Sequence, residues 1–160
     1  MKSIIEELRK NYERGFGFLF QQIEEASDEL WKARTGQCSY WQHVYHAFVC
    51  VDYFTLPAGA DLDPGPGTLK VAMFEELPES GNPISKDAVR EFGKRKKAQA
   101  DAWLDGLNDD DLPKKHEGCS ARRKMDVTNG MMLSNLIAHN FYHVGCNDTT
   151  LRESGRSGVY

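Results

Sequence analysis

From Tyr40 to Phe54 the chain has no polar face at any helical period, and Asp52 is its only formal charge. A helix with one apolar stripe lies against a core, whereas a helix apolar all round is enclosed by other elements. The run is too short to cross a bilayer, which takes about 20 residues, so whatever encloses it is protein. Ser39 stands directly before it as a good N-cap, and Arg34-Thr35-Gly36-Gln37-Cys38 reads as a turn leading in. A central helix of this kind needs partners on several sides.

The flanking sequence supplies them. From Lys2 to Lys32, the residues Ile4, Ile5, Leu8, Tyr12, Phe16, Leu19, Ile23, Ala26 and Leu30 recur at three- and four-residue steps. Acidic residues fill the other faces, so the spacing predicts one long amphipathic helix. Gly15 and Gly17 mark close packing or a bend within it. A third helix is predicted from Ser85 to Leu107, with a weaker stripe of Val89, Phe92, Lys96, Gln99, Trp103 and Leu107. Its run Lys94-Arg95-Lys96-Lys97 reads as a solvated face. A fourth is predicted from Thr128 to Ser154, with Gly155 as its stop signal. There Met132, Leu136, His139, His143 and Cys146 alternate steps of four and three, the pattern of an inward seam.

Two stretches interrupt this pattern. Pro57 to Pro83 carries the clusters Asp63-Pro64-Gly65-Pro66-Gly67 and Glu79-Ser80-Gly81-Asn82-Pro83, and reads as a long crossover with a short helix over Leu69 to Leu77. Asn108 to Asp126 is polar and loop-like, with His116 expected in solvent. No internal repeat or second domain is visible. The expectation is an all-α chain, a single domain over residues 1–160, built as a four-helix bundle with a long connection between helices two and three.

Bulk properties narrow the function classes. With 40% hydrophobic residues in 160, there is enough apolar material for one proper core. A net charge of −4 argues against nucleic acid as the main partner, because phosphate contacts need a basic surface. No apolar run spans a membrane, and acids interrupt the N-terminal stretch where a signal peptide needs continuous apolar residues, so a cytoplasmic location is expected. Cys38, Cys50, Cys119 and Cys146 form no C-x-x-C pair, which removes thioredoxin-like and zinc-ribbon readings. Cys50 and Cys146 are expected as free buried thiols.

The chemistry lies in the histidines. His139 and His143 are four apart, hence on one helix face about 6 Å apart along the axis. Two buried imidazoles side by side each need a polar partner, and one metal ion satisfies both. On the central helix His46 shares a face with His43, Cys50 and Tyr53. An imidazole from there completes a three-histidine site with open positions, as catalytic metals require, if the two helices are neighbours. Asn135 and Asn147 fall one turn outside the pair, and His43 and Cys50 flank His46, so these four are candidates to orient a ligand or touch a substrate, with Cys146 beside them.

Two segments also resemble the signatures of the DinB/YfiT-like superfamily. In Ser39-Tyr40-Trp41-Gln42-His43-Val44-Tyr45-His46 a serine opens the helix and a histidine follows seven residues later. In His139-Asn140-Phe141-Tyr142-His143-Val144-Gly145 two histidines at four-residue spacing precede a glycine, and Leu151-Arg152 and Gly155 follow at familiar positions. The resemblance selects His46 rather than His43 as the third ligand, beside His139 and His143. It implies an up-down-down-up bundle, often a homodimer, holding zinc or nickel with water in the remaining positions. It implies as well an activity on small molecules of the thiol S-transferase type, using a low-molecular-weight thiol. Many members read His-Arg-Gly-Gln where this chain reads His143-Val144-Gly145-Cys146, so the surroundings of the site differ. A metal held by three neutral ligands can equally activate water for hydrolysis, and a bundle can bind metal without catalysis.

Overall fold

The structure, a computed structural model, describes residues 3–76 and 82–160. Lys2, Leu77 and Glu79-Ser80-Gly81, on which parts of the expected first helix, short helix and second Pro/Gly cluster fall, lie outside the described residues. Helix α1 runs Ile4–Glu25 and α2 Asp28–Lys32; a two-stranded hairpin, β1 Arg34–Thr35 and β2 Cys38–Ser39, leads into α3, Tyr40–Thr55. Then come α4, Leu69–Ala72; α5, Lys86–Asp105; a 3-10 turn at Asp109–Asp111; α6, Glu117–Arg123; and α7, Asn129–Glu153. The described residues are thus mostly helical, as the periodicity of the sequence implies.

Helix α3 is the enclosed element. Val44, Tyr45, Phe48, Val49 and Val51 are fully buried, and α3 packs along both α5 and α7, while α1 packs against the same two helices from the other side. Ser39 opens α3, and the Gln42 side chain reaches back to accept its backbone N–H at 3.0 Å. At Gly93 of α5 a Cβ would lie 2.4 Å from the Phe48 ring, so the absent side chain is what lets the two helices approach. No helix among the described residues is long and apolar enough to cross a membrane.

The structure departs from the sequence expectation at five places. The first helix is broken: Ala26 turns extended, and Ser27 restarts the chain as α2 by accepting the Leu30 N–H at 3.1 Å, with Asp28 and Glu29 favourable in the first turn. Apolar spacing misses the break because Ile23, Ala26 and Leu30 are all buried despite it. The turn over residues 34–38 is a true hairpin, with Gly36 left-handed at φ 67°. The short helix stops at Ala72, and Phe74 takes a left-handed conformation at φ 61°. The polar loop of residues 108–126 contains α6, and His116 is buried: its Nδ1 accepts the Cys119 N–H at 3.1 Å and so caps that helix.

The fifth correction concerns the basic run on α5. Lys94 and Arg95 are exposed as expected, but Lys96 is only 3% exposed. Its ammonium group donates to both oxygens of Asp52 at 2.7 Å, and Asp52, 0% exposed, also accepts from Gln99 at 2.9 Å and from the Asp63 backbone at 2.7 Å. The lone charge of α3 is therefore neutralised and saturated with donors, and the connection after α3 is pinned to α5 through the same carboxylate. Removing one partner of such a pair leaves a buried charge uncompensated. Lys96→Ala is expected to destabilise the fold by about 3–5 kcal/mol in urea unfolding. Adding Asp52→Asn is expected to recover part of that loss.

Candidate metal centre

Helices α3 and α7 lie side by side, which brings the candidate imidazoles together. His46 comes from α3, and His139 and His143 from successive turns of α7. One ring nitrogen of each lies within 4.8 Å of the others. His139 Nε2 is 3.0 Å from His46 Nε2 and 3.2 Å from His143 Nε2. An ion held tetrahedrally at about 2.0–2.1 Å from each imidazole separates its nitrogens by roughly 3.3 Å, so the spacing suits a common ligand.

Hydrogen bonding alone leaves the trio unsatisfied. His46 Nδ1 is 2.7 Å from the Ala72 carbonyl oxygen, which only accepts, so Nδ1 carries the His46 proton and Nε2 is a bare lone pair. A neutral His139 has one N–H. If it sits on Nε2, it can serve only one neighbour, and the buried Nδ1 is a lone pair with no partner; if it sits on Nδ1, that N–H is buried without a partner. Either state strands a polar group in an apolar setting. A cation accepting the three Nε2 lone pairs would replace the competition among those nitrogens for one proton, with the His139 proton then on Nδ1.

Electrostatics favour the ligand form. Burial is the main reason that His46, His139 and His143 all bind protons more weakly than an ordinary imidazole. For His139 burial, with the charge His46 would carry, brings the pKa down to about 3. His143 is pushed down by burial and then by the charges that His139, His46 and His43 would carry. All three rings are consequently neutral at pH 7, as metal ligation requires.

The surroundings are aromatic and partly open. Phe74 stacks on His46 with centroids 4.5 Å apart and planes at 27°, and Phe54 meets His139 edge-on at 5.5 Å. Cys50 Sγ lies 3.4 Å from His46 Nε2, and burial, then Asp52, pushes this thiol up to about 12. On the His143 side a cavity of about 560 Å³ opens between the hairpin and the end of α7, lined among others by Arg34, Thr35, Cys38, His43, Phe74, Tyr142, His143 and Cys146. Tyr142 stands 64% exposed at this face.

Of the flanking candidates, His43 and Cys50 adjoin the trio; His43 Nδ1 is 2.9 Å from His143 Nδ1. Cys146 lines the cavity and is half-buried rather than enclosed. Asn135 is half-buried on α7 and bonds none of the histidines among the described residues. Asn147 is corrected: it is fully buried but turns toward α1, donating to Gln22 Oε1 at 3.3 Å and the Tyr40 carbonyl at 3.1 Å. One helical turn from His143 is not enough to share its face when the helix is enclosed on several sides. Sequence reasoning missed Phe74, an aromatic residue inside a Pro/Gly-rich connection, and the carbonyls of Ala72 and Thr35, for which side-chain identity carries no signal.

Compared with known proteins, the chain matches no family model, no curated protein and no solved structure.

The lowered histidine pKa values set a pH dependence for the metal-free protein. A group that binds its proton more weakly when folded contributes stability that is complete above its unfolded value, here 6.5, and is lost as pH falls toward the folded value, about 3 for His139. The urea midpoint of metal-free protein is expected to drop between pH 7 and 5, above the range of ordinary carboxylates. The drop is expected to be smaller in His139→Leu.

Proposed function

We propose that the chain is a divalent-metal enzyme whose ion, zinc or nickel, is held by His46, His139 and His143. The convergence of three imidazoles, one ring nitrogen of each within 4.8 Å of the others, carries this reading. The four long helices α1, α3, α5 and α7 are read as a four-helix bundle of the DinB/YfiT-like, up-down-down-up kind, forming one domain and associating as a homodimer. Its support is positional: Ser39 opens α3, His46 follows two turns later, and the α7 pair points at it.

The substrate class follows from the same reading. A divalent ion with neutral ligands, when bound there, keeps its charge and lowers the pKa of a coordinated thiol or water. The chain's own residues do the rest. Phe74 and Phe54 cover the imidazoles and exclude water from them, while the cavity at His143 admits a small molecule from one side. Arg34 supplies a positive charge on the cavity wall, and the thiols of Cys38 and Cys146 give it a soft lining. Transfer of a low-molecular-weight thiol to a small electrophile is the reaction we assign, with no part for nucleic acid or membrane.

Elemental analysis of protein purified without a histidine tag tests the site: about one zinc or nickel per chain is expected. His143→Ala is expected to abolish binding. His116→Ala is expected to keep the metal while costing about 1 kcal/mol of stability through its lost helix cap. Equal loss of metal in both variants sinks the ligand assignment.

Metal-loaded protein is then expected to turn over a small thiol with an electrophilic acceptor, followed by thiol consumption. Hydrolysis of ester or amide substrates without any thiol requirement replaces the transferase assignment by a hydrolase. A metal-loaded protein inert toward both panels is a binding protein.

A further inference from the structure

The hairpin before α3 sits where the metal centre needs a backbone carbonyl. The Thr35 carbonyl oxygen lies 3.3 Å from His43 Nε2, and His43 Nδ1 lies 2.9 Å from His143 Nδ1. His43 and His143 are both buried, at 7% and 2% exposure, so the protein supplies most of what their rings meet.

These distances leave one consistent set of proton positions for neutral rings. A carbonyl oxygen only accepts, so His43 Nε2 carries the His43 proton. His43 Nδ1 is then a bare acceptor, and His143 Nδ1, 2.9 Å away, is the donor to it. With its single proton on Nδ1, His143 presents an empty Nε2 lone pair toward His139 Nε2 at 3.2 Å. A histidine free in water prefers the opposite arrangement, with the proton on Nε2, so something must hold His143 in this form.

We propose that His43 sets the tautomer of His143: it relays the proton demand of the Thr35 carbonyl across its own ring and keeps His143 Nε2 bare. His43 is thereby a positioning residue for the metal centre, an assignment that rests on the three-histidine reading above. His46 reaches the same tautomer in one step, from the Ala72 carbonyl at 2.7 Å. For His143 the Thr35 carbonyl acts through the His43 ring, which lies between them in the hydrogen-bond chain.

The anchor of the relay is held on two sides. Thr35 pairs with Cys38 across the hairpin, whose turn is closed by left-handed Gly36. The Thr35 hydroxyl is 2.9 Å from the Thr150 hydroxyl on α7, two turns beyond His143. The hairpin is thus tied to the helix that carries the ligand it orients, which fixes the carbonyl relative to both rings. Metal ligands typically have such outer partners, and losing one lowers affinity roughly ten- to a hundredfold.

Long-range proton–nitrogen NMR on metal-free, 15N-histidine-labelled protein at neutral pH reads the tautomer directly. Wild type is expected to show His143 protonated on Nδ1 and His43 on Nε2. In His43→Leu, His143 is expected to shift to the Nε2-protonated form, and zinc affinity, measured by chelator competition, to fall about ten- to a hundredfold. In His43→Asn the amide oxygen stands near the former Nδ1 and accepts in its place. His143 is expected to keep its tautomer there, and zinc affinity to stay within about threefold of wild type.

Wild-type His143 protonated on Nε2 overturns the proposal, as does a His43→Leu variant with unchanged tautomer and affinity. Equal losses of affinity in both variants, with His143 unchanged in tautomer, show His43 to be structural only and overturn it as well. If His43→Leu fails to fold, the wild-type tautomers and the Asn variant decide. Failure of the three-histidine reading is separate: wild type would then bind no zinc, while the metal-free spectrum still reports whether His43 controls His143.

Discussion

Complete enclosure of α3 is the constraint from which the rest of the structure follows. Its aromatic and branched side chains can be covered only if α5 and α7 lie along it together, and the small residue Gly93 permits the close approach on the α5 side. Once it is enclosed, every polar group on it must find a partner inside the protein, because water is not available there. Three of its polar residues stand out: Asp52, His43 and His46. Each is resolved by a different neighbour, and those resolutions define the pinned connection, the hairpin contact and the candidate metal centre.

The contrast between the two ends of α3 is instructive. Asp52 is satisfied by a cation from the chain itself, Lys96, together with Gln99 and the Asp63 backbone. Such a group is finished: it has donors for its lone pairs and nothing left to bind. His46 is fixed by the backbone on only one nitrogen. The Ala72 carbonyl accepts from its Nδ1–H, and its Nε2 faces Cys50 and another histidine, which faces a third. The same physical demand, satisfying buried polar atoms, produces a structural lock at Asp52 and a cluster of convergent imidazoles at His46.

The sequence carries the long helices and the meeting of His46, His139 and His143 with little loss. The apolar run of Tyr40 to Phe54 implies an enclosed helix, and the seam through His139 and His143 implies that those rings point inward; both are found. It is weaker wherever direction depends on neighbours. Asn147 sits one turn from His143 yet serves α1 and the start of α3, because α7 is contacted on several faces. Lys96, inside a basic run, turns inward because a buried carboxylate waits for it, and nothing local to Lys94-Arg95-Lys96-Lys97 says which of the four will do so. His116 looks like a loop residue because the seven-residue helix it caps is too short to leave a periodic signature. The break at Ser27 is invisible for the converse reason: a periodic stripe continues across it.

What remained hidden belongs mostly to the backbone, and this explains why irregular segments matter so much to a helical protein. Helices consume their own carbonyls and have few to spare for side chains. The carbonyls that meet the histidine rings come from places where the ladder ends: Thr35 in the hairpin, and Ala72 at the last turn of α4. Immediately beyond Ala72, Phe74 is held left-handed at a cost of about 1–2 kcal/mol for a residue with a side chain, and that conformation goes with its ring lying over His46. A regular helix continuing to Leu77, as the apolar pattern suggests, would use the Ala72 carbonyl internally and carry Phe74 on past it. The strained turn thus serves two needs together, releasing an acceptor for one face of His46 and delivering an aromatic cover to the other.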